Sequence, residues 1–138
     1  MRKSAKGIAM LALWTSISGC AGENPVTQMP TQTVSYADDI QALFDKRCVR
    51  CHRSSAPEHG FLNLKPDSSY YQLISRRSVQ RPDLLIVEPF APDASYLLWK
   101  MENDPRIEGY RMPMFALPMP KEEIQLVRTW VSEGAFQQ

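Results

Sequence analysis

Apolar positions recur at helical spacing in four stretches of the chain, and prolines fall between them. Over residues 35–47, SYADDIQALFDKR, the residues Tyr36, Ile40, Leu43 and Phe44 fall on one face of a helix, and Arg47 continues the spacing. Ser35 is its predicted N-cap, with Asp38 three residues on as the box partner. PDSSYYQLISRR, residues 66–77, predicts a short helix capped by Asp67. DASYLLWKMEN, residues 93–103, predicts another capped by Asp93. PKEEIQLVRTWVSEGA, residues 120–135, is the clearest of the four. Pro120 stands at its first position, and Glu122 and Glu123 lie at the favourable end of the helix dipole. Ile124, Val127, Trp130 and Val131 make its apolar face, and Gly134 is the stop. This helix is expected to pack across the one at residues 35–47. Sustained strand alternation is scarce, so the fold class expected is all-α: a small helical domain with long proline-rich loops.

The hydropathy of the N-terminus has a different character. MRKSAKGIAMLALWTSISGC begins with Arg2, Lys3 and Lys6, continues through an apolar run from Gly7 to Ile17 and closes on small residues. That is the anatomy of a processed leader, and its apolar run is too short to span a bilayer comfortably. The ending Ile17-Ser18-Gly19-Cys20 resembles the lipobox of bacterial lipoproteins. The resemblance implies that residues 1–19 are a signal peptide and that Cys20 is lipidated and becomes the first mature residue. The alternative is an uncleaved anchor with an incidental cysteine. Residues 20–33 form the lipidated end and a polar tether, AGENPVTQMPTQT after the cysteine, which reaches about 45 Å when extended. The resemblance implies that the domain, residues 34–138, stands outside the cytoplasm. Ala21 stands where an aspartate would favour inner-membrane retention in Gram-negative lipoproteins, so the outer membrane is favoured.

Composition narrows the field further. A net charge of +1 over 138 residues speaks against a nucleic-acid binder. Eleven prolines fit short helices and long loops. Of the three cysteines, Cys20 belongs to the leader; Cys48 and Cys51 stand in CVRCH, with His52 directly after them. In an oxidising compartment these two thiols form a disulfide unless something else occupies them. A redox dithiol needs a βαβ setting, whereas this pair follows a helix. A zinc site needs four ligands, and Cys48, Cys51, His52 and His59 would form an isolated knuckle. The third reading is c-type haem, for which C-x-x-C-H is the attachment spacing. Two thioether bonds would fix the porphyrin edge, and one helical turn would carry His52 beneath the iron. The other ring nitrogen of His52 is then expected to donate to a backbone carbonyl.

At this point residues 34–136 resemble bacterial monohaem c-type cytochromes. VSYADDIQALFDKRCVRCH resembles the family's N-terminal helix running into the haem motif, and GFLNLKP the short segment after it. EPFAPDASYLLWKM resembles the following turn and helix. GYRMPMFALPMPKEEIQLVRTWVSEGA resembles the distal methionine loop and closing helix. The haem motif is the specific part. Pro120 is a departure, since relatives often place a Ser or Thr cap there. The resemblance implies one covalently bound haem c, held by Cys48 and Cys51, with His52 as an iron ligand. Met112 matches the family's R-M-P pattern and is the expected sixth ligand. Met114 and Met119 have the same chemistry and lie nearby. Met29 lies in the tether, Met101 lies on a predicted helix, and His59 is only seven residues past His52. The RMPMFALPMP loop has the length to cross to the distal side, and its prolines reduce the entropy lost on ligation. Arg111 is a candidate for pairing with a haem propionate; Arg76, Arg77 and the Lys121, Glu122, Glu123 cluster read as solvated faces. Tyr36, Phe44, Leu98, Trp99 and Trp130 read as haem-pocket walls and core.

The function implied is electron transfer, without enzymatic activity or a small-molecule substrate. A filled coordination sphere leaves no open position, and methionine opposite histidine raises the potential. The expected partners are periplasmic redox proteins, met through small and short-lived contacts, with the lipid anchor holding the membrane. The competing reading is a haem enzyme or sensor subunit with a labile or open sixth position, isomerase-like or peroxidase-like. A structural haem module of an envelope complex is a further alternative.

Overall fold

A computed structural model of the protein describes residues 33–138. The leader, Cys20, Met29 and all of the tether except Thr33 lie outside the described residues. The chain begins with a wide π-type turn, Tyr36–Ile40, which runs directly into α1, Gln41–Arg47. Ser35 caps this turn by accepting the Asp38 N–H on its hydroxyl at 3.2 Å. The carboxylate that reaches back to the Ser35 N–H is Asp39 at 2.9 Å, not the box partner Asp38. The cause is the width of the turn. Ile40 donates to the Ser35 carbonyl five residues back, so the return position falls one residue later than in an α-helix.

After α1 come two very short strands, β1 (Arg53–Ser54) and β2 (Leu62–Asn63), paired antiparallel with Arg53 opposite Asn63. They enclose the single turn Pro57–His59 and Gly60, whose φ of +65° suits glycine. Two-residue strands carry no alternation that a sequence pattern could reveal. The expected all-α domain is thus, in its described part, a set of short helices and loops with this ladder added. α2 (Ser69–Leu73) follows, then α3 (Tyr96–Glu102) and α4 (Lys121–Ser132).

Three helix starts differ from the expectation. α2 is preceded by Ser68 rather than capped by Asp67, and it ends at Leu73. Ile74 leaves the helix to bridge Val87, and Arg77 bridges Leu85, with Ser75 turning the chain between them at a φ of +55°. Asp93 sits in a separate turn, Pro92–Ala94, and α3 starts after Ser95. The buried Ser95 hydroxyl faces the preceding loop, accepting the Glu88 N–H at 2.9 Å and donating to the Ala91 carbonyl at 3.0 Å. Asp93 instead binds Arg128 of α4. Pro120 flanks α4 as its N-cap with ψ of 143°, one position earlier than expected.

α1 and α4 run antiparallel against each other. Near the start of α1 the Val34 N–H meets the Glu133 carboxylate beyond the end of α4, and the Tyr36 N–H meets the Gln138 carbonyl at 2.8 Å. At the other end Arg47 grips Glu123 of the first turn of α4 with two bonds of 2.8 Å. This fork holds the Glu123 carboxyl below its usual range. Between these ends lie Ile40 and Phe44 of the α1 segment and Val127, Trp130 and Val131 of α4, all buried, with Leu98 of α3. The Tyr36 and Trp130 rings stack at 5.3 Å between centroids. The Tyr36 hydroxyl donates to Ser69, which donates to Gln41, so this buried polar cluster is internally bonded. Burial pushes the Tyr36 hydroxyl up to about 12.

α4 closes in a Schellman turn. Gly134 donates to the Val131 carbonyl at 3.1 Å and Ala135 to the Trp130 carbonyl at 2.9 Å. Gly134 has a φ of +110°, and a Cβ there would stand 2.6 Å from both the Phe90 and Phe136 rings. No helix among the described residues is long and apolar enough to cross a membrane.

Candidate cofactor site

CVRCH begins where α1 ends. Cys48 is the last-turn neighbour of α1, donating its N–H to the Phe44 carbonyl at 2.7 Å. Its own carbonyl then accepts the Cys51 N–H at 3.0 Å and the His52 N–H at 2.9 Å. This extra turn projects Cys48 and His52 into one cavity of about 360 Å³. Cys51 lies exposed on the outside of the same turn, and both thiols are free. Burial pushes the Cys48 thiol up to about 12. A redox dithiol requires the opposite, a thiol pulled down toward neutral pH.

His52 is held in one orientation. Its Nδ1 lies 2.9 Å from the His59 carbonyl, which can only accept, so Nδ1 carries the proton. Nε2 is therefore the nitrogen with a free lone pair. Gly60 lies flat against the ring: a Cβ there would be 3.1 Å from Cε1 and 3.5 Å from Nδ1. Burial lowers the His52 pKa and favours the neutral imidazole, while the bond to His59 acts in the other direction.

The cavity walls are mainly apolar. Leu62 and Leu64 line it beside His52, Ile86 and Leu97 come from the middle of the chain, and Met101, Met112 and Met119 from the C-terminal half. Met119 is buried and Met112 half-buried. The Met112 N–H donates to the Lys100 carbonyl at 2.7 Å, which ties the loop to α3. The volume falls in the range of sites for cofactor-sized ligands.

Several sequence candidates lie elsewhere. Met114 is exposed and lines a separate hollow with Tyr110, Arg111 and Phe115. The His59 ring faces β1, bonding the Ser54 hydroxyl and accepting from Arg53 Nε at 3.3 Å. Arg111 does not line the main cavity; its guanidinium donates to the Pro113 and Ala116 carbonyls and so braces its own loop. Tyr36, Phe44, Leu98, Trp99 and Trp130 are buried but do not line the cavity. They are core, and Trp99 is covered by the Arg106 guanidinium at 3.8 Å from its ring centroid. Conversely Arg76, read as a solvated residue, borders the cavity.

Lys100 also lines the cavity and was not singled out by the sequence. Its signal was available: a cation inside the run Leu97, Leu98, Trp99, Met101, where α3 buries Leu98 to Met101 in succession. No group of three or more His, Cys, Asp and Glu side chains suited to a metal ion occurs among the described residues. Neither family models, nor curated proteins, nor solved structures yield a match to this chain.

Proposed function

We propose that the protein is a monohaem c-type cytochrome, a lipid-tethered electron carrier of the bacterial periplasm. The observation that carries this reading is the preparation of His52. Its proton is committed to a carbonyl, its ring lies against Gly60, and His52 lines a mainly apolar cavity together with Cys48, Met101, Met112 and Met119. Imidazole and thioether together form the donor set of a low-spin haem iron. The residues present fit that group. Cys48 and His52 already face the cavity, and Cys51 lies within the same turn and has to swing inward on attachment.

Haem supplies a one-electron couple when bound. The chain's contribution is to hold that couple rigid and dry. His52 and Met112 would hold its iron, with Met119 as the competing sulfur. The leucine, isoleucine and methionine walls exclude water and favour the less charged ferrous state, as does thioether ligation. Iron held by both His52 and a methionine would have no position left for a substrate. The proline-rich loop and the Arg111 brace reduce the rearrangement that would accompany a change of charge.

The experiment is the mass of the denatured holoprotein from cells that mature c-type haem. It should exceed that of the processed polypeptide by one haem, and the increment should be lost when Cys48 and Cys51 are both changed to Ala. Processed protein with the mass of a bare polypeptide or a disulfide would overturn the proposal.

A further inference from the structure

Five cations in the described part of this protein are paired with carboxylates. Lys46 and Arg47 share Glu123, Arg81 meets Asp83, Arg106 meets Asp104, and Arg128 meets Asp93 and Glu102. Lys100 has no carboxylate within ion-pair distance, and it is the one buried Lys or Arg among the described residues. It is 6 % exposed, yet its ammonium has only neutral acceptors: Gln80 Oε1 at 3.0 Å and the Glu108 carbonyl at 2.7 Å. The Tyr96 ring lies 5.8 Å away, and the Tyr96 hydroxyl donates to the same Gln80 oxygen at 3.2 Å. Glu108 presents its backbone to Lys100 while its side chain is at the surface. Burying an ammonium beside neutral partners costs far more than two hydrogen bonds return, unless an anion completes the site. The third N–H of Lys100 is uncommitted, and Lys100 borders the same cavity as Cys48 and His52. Arg76, the other cation on that cavity, also lacks a carboxylate and donates only to the Phe61 carbonyl at 3.4 Å.

We propose that Lys100 is the binding residue for a carboxylate of the cofactor, pairing with one haem propionate. This rests on the haem reading and goes beyond it, because neither the attachment motif nor the axial ligands specify what meets the propionates. Gln80 and the Glu108 carbonyl act as guides: they hold the ammonium in place and leave one N–H for the incoming oxygen. Arg76 at the cavity edge adds positive potential that no carboxylate partner offsets. The propionate contact moves from Arg111, which is spent on its own loop, to a buried lysine that the Glu108 carboxylate influences through space but does not pair with directly.

The test uses the full holoprotein in its ferrous, diamagnetic state. Proton NMR should show nuclear Overhauser contacts between the Lys100 side-chain methylenes and the propionate methylenes of one haem edge. Their absence in a protein whose mass includes haem would overturn the assignment and leave the haem reading standing; a mass without haem would overturn both. The wild-type measurement decides the matter even if variants fold poorly. In addition, Lys100→Met should lower the reduction potential and shift the propionate bending band in the resonance Raman spectrum. Lys100→Arg should keep both near wild type. A potential that falls with an unshifted propionate band would show a distant charge effect and would likewise overturn the pairing.

Discussion

An imidazole ligates a metal through the nitrogen that carries no proton, so the bond from His52 Nδ1 to the His59 carbonyl selects Nε2. The sequence showed His52 as a ligand candidate through its place after Cys51, but the identity of the supporting carbonyl depends on how a seven-residue loop folds back. His59 thus acts through its backbone, while its ring serves β1. The choice among methionines is also narrowed at this scale. Met114 points to the surface, which leaves Met112 and Met119 on the cavity with Met101 of α3. Met112→Ala is expected to abolish the weak far-red iron–sulfur band of the ferric protein, lower the potential and admit external ligands, with haem attachment retained. Met119→Ala is expected to keep the band and to cost about 2–5 kcal/mol of stability, as buried methionines do when truncated. Optical spectra and thermal melts of the two variants separate these outcomes. A band that survives in the Met112 variant and disappears in the Met119 variant would exchange their roles. Lys100 was overlooked because a lysine in a helix reads as solvated by default; only its burial beside Gln80 shows otherwise.

At the scale of elements, the helices at residues 35–47 and 120–135 were legible because their apolar faces are wide and their stop signals are local. Ile40, Leu43 and Phe44 on one side and Val127, Trp130 and Val131 on the other are buried as their spacing implies. The boundaries of α2 and α3 were less legible. There, loop hydrogen bonds compete with capping: the Ser95 hydroxyl is used by residues 88–91, and Ile74 is drawn into pairing with Val87. The β1–β2 ladder left no sequence signal, since its four residues are placed by the turn around Gly60. The Schellman turn of α4 provides the test at this level. Gly134 combines a φ of +110° with aromatic rings where a Cβ would stand. Gly134→Ala should cost at least about 1 kcal/mol, a fall in Tm of about 4 °C or more for a domain of this size. Circular dichroism melting measures it. An unchanged Tm would mean that the turn and the Phe90 and Phe136 rings yield without cost.

For the whole molecule, the antiparallel α1–α4 pair brings the N-terminal end of the domain to the end of α4, while CVRCH emerges near its start. α4 is 12 residues long, about 18 Å. If residues 20–33 are the proposed tether, its reach of about 45 Å would accommodate more than one orientation of the cavity relative to a membrane. This suits a carrier that meets soluble partners in brief contacts. Anchoring through Cys20 has a direct test: Cys20→Ala should release haem-containing protein into the soluble periplasmic fraction or leave an unprocessed precursor, as fractionation and immunoblotting would show. Variant protein that is processed and remains in the membrane like wild type would remove Cys20 as the lipid site. The central claim concerns the iron itself, a covalently held haem closed on both faces by this chain. It is tested most directly by the visible spectrum of the purified, reduced protein before and after carbon monoxide is added at neutral pH. The account predicts the sharp bands of a low-spin c-type haem, changed slowly or not at all by the gas. Rapid, stoichiometric conversion to the carbon monoxide complex, or a protein without haem absorption, would contradict it.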